Sequence, residues 1–137
     1  MPRSLGVWLD RSRARIIDCS NGDSPTVELI ESGVEPLRQS TGHIHNLPAG
    51  HGIGAVAHGS AERRRDQQLD RFYQILARRI KGVERLAILG PGPARDEFAA
   101  VVRNDQELAP ALKAVEPVDA RLTEAQIVAR ARELLRG

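Results

Sequence analysis

The chain has 137 residues, of which 41% are hydrophobic and 28% charged, and its formal net charge is +2. That size and balance fit one globular domain around a single core, and they exclude a disordered or fibrous chain. Aromatics make up only 3%, so the core must rest on Leu, Ile, Val and Ala, and the lone Cys19 rules out an internal disulfide.

Lys81 and Lys113 are the only lysines among twenty basic residues; the rest are arginine. Arginine is the better fork for phosphate and carboxylate, although a GC-rich coding sequence produces the same bias. No run reaches the roughly 18 apolar residues of a membrane span. The opening MPRSLGVWLD has no long apolar core of a signal peptide. The expectation is a soluble, cytoplasmic protein with no membrane partner.

In chain order, LGVWLD (5–10) and ARIIDC (14–19) are short apolar runs joined by a link short enough for a hairpin. NGDSP (21–25) is a strong turn, and TVELIES (26–32) alternates as a third strand. A stretch at about 35–59 shows no sustained period and reads as a long flexible loop within the single domain 1–137. A helix is expected from Ser60 as N-cap. Leu69, Phe72, Tyr73, Leu76 and Ile80 form its apolar stripe, and Gly82 stops it.

ERLAILG (84–90) reads as a buried strand, and PGPARDEFAAVVRND as a second helix with Pro93 in its first turn. LKAVEPV (112–118) is a short strand whose Pro117 suits an edge. The last helix starts at Thr123, where TEAQ is a capping box and Leu122 with Ile127 a hydrophobic staple. Three antiparallel strands followed by αβαβα predict a five-stranded mixed sheet with packed helices. This is an α/β fold of the ribonuclease H-like arrangement.

All four histidines, His43, His45, His51 and His58, fall in HIHNLPAGHGIGAVAHGS. Their backbone is glycine-rich, and their spacing lacks the tight pairs and rigid frame of a zinc site, so no metal is expected. A ribonuclease H-like nuclease needs several carboxylates on its central strands for two metals. Asp10 suits the first, but the later strands add only Glu84 and Glu116, and the set is incomplete. GHGIG (50–54) is neither a P-loop nor a dinucleotide fingerprint. LGPGPARDEF (89–98) runs from strand to helix N-terminus and leaves N–H groups for an anion, although such turns often carry Gly and Pro for geometry alone. No cofactor is expected, and the enzyme reading, a metal-dependent nuclease or hydrolase using Asp10, is the rival one.

Arg64, Arg71 and Arg78 recur every seven residues and line one side of the long helix, with Arg63, Arg79 and Lys81 at the margins. Such a band is either a solvated face or a ridge that tracks a phosphate backbone. Glu62, Asp66 and Asp70 flank it.

The segments GVWLDRSRARIIDC, DQQLDRFYQILARRIKGVERLAILGPGPARDEF and VEPVDARLTEAQIVARARELL together resemble small bacterial proteins labelled translational machinery proteins. These are similar to the central domain of archaeal and eukaryotic class 1 peptide-chain release factors and of Pelota-type rescue factors. The resemblance implies the same ribonuclease H-like topology and a ribosome or rRNA partner. In release factors of that class, a Gly-Gly-Gln loop before the long helix promotes hydrolysis of the peptidyl ester. This chain has no Gly-Gly dipeptide, and Gln67 and Gln68 fall inside the helix pattern, so peptide release is expected to be absent.

By the resemblance, the loop at 35–59 is the remnant of a ribosome-facing loop, kept mobile by Gly50, Gly52, Gly54 and Gly59. His43, His45, His51 and His58 then supply polar groups for rRNA phosphate, more cationic below about pH 6.5. The leading expectation is a non-enzymatic ribosome- or RNA-associated factor. It binds through Arg64, Arg71, Arg78, Arg63, Lys81 and the loop, with Arg11, Arg13 and Arg15 as secondary contacts. A protein-interaction module or homo-oligomer pairing through a strand edge is a further reading.

Overall fold

The computed structural model describes residues 3–21, 24–34 and 51–136, with the backbone alone over 51–60. The elements are β1 (Ser4–Leu9), β2 (Arg13–Asp18), β3 (Thr26–Glu31), α1 (His51–Arg79), β4 (Arg85–Gly90), α2 (Pro93–Arg103), β5 (Leu112–Pro117) and α3 (Glu124–Arg136). The strands form one mixed sheet in the order β3-β2-β1-β4-β5. The hairpin strands pair antiparallel, whereas β1–β4 and β4–β5 are parallel. The αβαβα half of the expectation thus supplies the two parallel neighbours.

Strand alternation sorts the side chains onto two faces. One row crosses the sheet as Glu28, Ile16, Val7, Ile88 and Val115. Its buried members join Leu76, Ile80 and Phe98 in the larger core, beneath α1 and α2. The next row, Leu29, Arg15, Trp8, Leu89 and Glu116, lies on the other face. There Trp8 and Leu89 form a smaller core with Ile127, Ala131 and Leu135 of α3. α3 sits very close to β1, because a Cβ on Gly6 would meet the Ala131 Cβ at 2.7 Å.

Polar residues flank Trp8 and Leu89 in this row, Arg15 on β2 and Glu116 on β5. Arg15 lies over the Trp8 ring at 4.9 Å and reaches Glu124 at 3.4 Å. Arg130 forks onto Glu116 through Nε and Nη2, the Nη2 bond measuring 2.5 Å. Hydrogen bonding to Arg130 holds the Glu116 carboxyl below its ordinary value. Ser20, Lys81 and Arg121 do the same for Asp18, Asp105 and Asp119. A carboxylate depressed in the folded state stabilises fully above its unfolded value, and that contribution is lost as pH falls through the folded one. Stability should therefore decline on acidification, and Arg130→Met should flatten the Glu116 share of the decline in a thermal-midpoint series against pH. An unchanged slope would show that the pair contributes nothing.

The capping box at α3 forms as expected. The Gln126 carboxamide accepts from the Thr123 N–H at 2.9 Å, and the Thr123 hydroxyl accepts from the Gln126 N–H at 3.2 Å. Leu122 packs into the smaller core beside Ile127, completing the staple. Thr123→Ala should cost about 1 kcal/mol in chemical denaturation. Thr123→Ser should restore most of it.

The start of the long helix differs from expectation. Residues 51–59, expected in a flexible loop ahead of a Ser60 cap, are helical, so Ser60 is an interior position of α1. Gly52, Gly54, Gly59, His51 and His58 belong to this helix, not to a loop. Adding a residue to a formed helix gains a backbone bond without a new nucleus, so the packed segment downstream can propagate through weak helix formers. Ala55 and Ala57 offset part of the glycine cost. At the other end Gly82 stops the chain at φ +85°, as its position suggested.

Candidate functional site

α1 has 29 residues, about 43 Å of helix at 1.5 Å per residue. Its inward stripe of Leu69, Phe72, Tyr73, Leu76, Ala77 and Ile80 is buried. The opposite side carries Arg64, Arg71 and Arg78, all exposed. A seven-residue repeat drifts only about 20° per step on a straight helix, so the three arginines make one ridge. Ile75, 43% exposed, flanks the ridge on one side, and Gln67 and Gln74 flank it on the other.

Among the described residues, two margin residues of this ridge are neutralised, whereas Arg71 and Arg78 are not. Arg79 pairs with Glu28 on β3. Lys81 reaches Asp105 at 2.8 Å and Glu107 at 3.5 Å. Lys81, expected to widen the basic band, is therefore committed to two carboxylates beyond the end of α2. Arg71 and Arg78 have no ion-pair partner among the described residues, and Arg63 is likewise exposed and unpaired there. His51 and His58 lie on the helix upstream of the ridge, and His43 and His45 lie outside the described residues.

The hairpin arginines are brought elsewhere. Asp10 Oδ1 accepts from the Ser12 and Arg13 N–H groups at 2.7 and 2.9 Å, which closes the β1–β2 turn. Asp10, the first carboxylate of the nuclease reading, is thus a turn-former. Arg11 reaches across to Glu97 on α2 at 2.6 Å, and the Tyr73 hydroxyl donates to the other Glu97 oxygen, also at 2.6 Å. Burial, with that carboxylate, pushes the Tyr73 hydroxyl far above its ordinary range, so it stays a donor. Arg13 lies 4.0 Å from Glu31, and Arg15 is spent on Trp8 and Glu124.

Asp66, Asp70, Glu97 and Arg11 line a shallow cleft of ≈ 220 Å³ over Tyr73 and Leu69. Among the described residues no three His, Cys, Asp or Glu side chains are placed to share a metal ion. Glu97 was missed by sequence reasoning because its partner Arg11 is 86 residues away. The one available signal was Tyr73, since a buried tyrosine hydroxyl usually finds an acceptor.

At the start of α2, Gly92 is the N-cap without a side-chain cap, and Pro93 follows it. The Arg95 guanidinium donates to the Gly90 carbonyl at 2.7 Å and pairs with Asp96 at 3.0 Å, tying the strand-to-helix turn. Gly90 is required here, because a Cβ would sit 2.4 Å from the Leu9 carbonyl oxygen. The acidic Asp96 already occupies the first turn that was considered for an anion.

Val101 borders the acidic cleft and also a second, larger groove of ≈ 530 Å³. This groove is lined by Gln74 of α1, Val101 of α2 and Asn104, Asp105, Gln106 and Glu107 beyond it. Gln74 joins it to the arginine ridge, being four residues from Arg78 on one helix. On the far side of the sheet, β3 is an edge strand whose Leu29 is 51% exposed.

The described residues thus form a mixed α/β protein, with two helices on one face of a five-stranded sheet and one on the other. No family model matches the chain, and no curated protein matches it. Among solved structures, it is similar to the archaeal translation termination factor aRF1, with a TM-score of 0.55 at 16% sequence identity. The similarity covers 98% of this chain and 39% of that protein, so this chain has the fold of part of a termination factor. Among the described residues no helix is long and apolar enough to cross a membrane.

Proposed function

We propose that this protein is a non-enzymatic ribosome- or RNA-associated factor related to release and rescue factors. We read its strand order as ribonuclease H-like, corresponding to the central domain of class 1 release factors and Pelota, and we place it with the bacterial translational machinery proteins. The observation that carries the proposal is the α1 ridge, where Arg71 and Arg78 stand exposed without a counter-ion among the described residues. Unpaired arginines on a rigid helix suit a polyanion whose phosphates track one direction. The fold likeness to a termination factor, which spans nearly the whole chain, supports rRNA as that polyanion.

Peptidyl-tRNA hydrolysis is not part of the proposal. The chain has no Gly-Gly dipeptide, and Gln67 and Gln68 are interior residues of α1 rather than the tip of a loop. Cosedimentation with purified ribosomes tests the reading. Wild type should travel with ribosomes at low salt and dissociate as salt rises, and Arg64→Glu/Arg71→Glu/Arg78→Glu should stay at the top of the gradient. A triple variant that cosediments like wild type would sink it.

A further inference from the structure

We infer that the groove beside the arginine ridge accepts unpaired nucleobases, so that the RNA this protein prefers is single-stranded or looped, not a continuous duplex. The inference rests on the RNA-binding reading of the ridge and adds to it the kind of RNA. The groove is lined by Gln74, Asn104 and Gln106, which each present a donor and an acceptor, and by Asp105 and Glu107, which present acceptors. Amides meet base edges and phosphates alike, but carboxylates accept from base donors and repel phosphate, so the set as a whole favours bases.

Placement supports the division of labour. Arg78 and Gln74 are one helical turn apart, so a strand whose phosphates follow Arg71 and Arg78 has its bases beside the groove. The volume of ≈ 530 Å³ falls within the ~300–1,000 Å³ of ordinary ligand pockets. Val101 supplies an apolar floor for a base face. Lys81 neutralises much of the charge of Asp105 and Glu107, which lowers their repulsion of the backbone. Both Asp105 oxygens are taken by Lys81 and by the Glu107 and Leu108 N–H groups, so the acceptor left for a base is Glu107. In an RNA duplex the Watson–Crick edges are paired and the deep, narrow major groove is closed to side chains, so fewer base edges are left for these groups than on a single strand. An acidic protein segment could use the arginines, but it has no need of a groove rich in amides and carboxylates.

The test is fluorescence anisotropy with a short labelled RNA of mixed sequence, alone and annealed to its complement, across a salt series. Wild type should bind the single strand more tightly than the duplex. Gln74→Ala/Asn104→Ala/Gln106→Ala should bind the single strand about tenfold more weakly while leaving duplex binding and the salt slope unchanged. Arg71→Ala/Arg78→Ala should weaken both RNAs and reduce the salt slope. All three amide side chains are exposed, so folding should survive, and Gln74→Glu alone provides a check of the same sign at constant size. Wild type binding both RNAs equally, or groove variants binding the single strand like wild type, would overturn the groove and leave the ridge standing. No binding of either RNA by wild type at low salt would overturn both.

Discussion

Phe98→Ala should lower the free energy of unfolding by about 3–5 kcal/mol, among the largest losses expected from a single truncation in this chain. Phe98 is wholly buried and belongs to α2, in a protein with only two phenylalanines, one tyrosine and one tryptophan. Its ring lies 6.1 Å from Tyr73, which lies 5.8 Å from Phe72, both pairs tilted. These three rings join α1 to α2 over the sheet, in a core otherwise built from aliphatic side chains.

The surrounding core draws its aliphatic side chains from strands and helices alike, and a close-packed interior relaxes only partly into the space left by a ring. The cost should therefore include both lost transfer energy and a residual cavity. Removing the ring also takes a packing partner from Tyr73, whose hydroxyl holds Glu97 in place for Arg11. Urea unfolding followed by circular dichroism should show a lower midpoint at unchanged slope, and Phe98→Leu should recover more than half the loss. A loss below about 1 kcal/mol would mean that the α1–α2 seam is not a tight part of the core.

That seam also separates what the sequence made legible from what it hid. The inward stripe of α1 was readable because five residues repeat at helical spacing, and all five are buried. The α3 start was readable because a capping box is a local device complete within four residues. That the sheet is mixed followed from connection rules, since a strand that leaves through a helix returns parallel.

Long-range pairings were not legible in this way. Nothing near Lys81 in sequence announces Asp105 and Glu107, and nothing near Arg11 announces Glu97, because the contacts are made by chain folding and not by spacing. The ridge was thus legible as a row of arginines, but which of them remain unpaired was not. The groove escaped notice for a similar reason, as its amides come from one helix and from a connection thirty residues later. Residues 51–59 hid their helix because glycine and histidine carry no apolar period, while propagation depends on the formed helix next to them.

The ridge supports the prediction with the largest expected effect on binding. In a titration of RNA at increasing salt, log K should fall linearly with log salt. Each phosphate neutralised contributes a slope of about −0.7 for single strands and −0.9 for duplex. Arg71→Ala/Arg78→Ala removes two such contacts and should make the slope shallower by roughly 1.4–1.8.

Arg64→Glu/Arg71→Glu/Arg78→Glu goes further, since each position changes from attraction to repulsion, and RNA affinity should fall by more than about a hundredfold at low salt. The helix should tolerate the change, because glutamate is about as good a helix former as arginine and all three positions are exposed. The diagnostic feature is convergence. Screening shrinks the difference between wild type and variant as the Debye length falls from about 10 Å at 0.1 M salt to about 3 Å at 1 M. A gap that persists at high salt would mean that the arginines bind by packing or by base contacts, and the ridge would then have to be read as part of the groove.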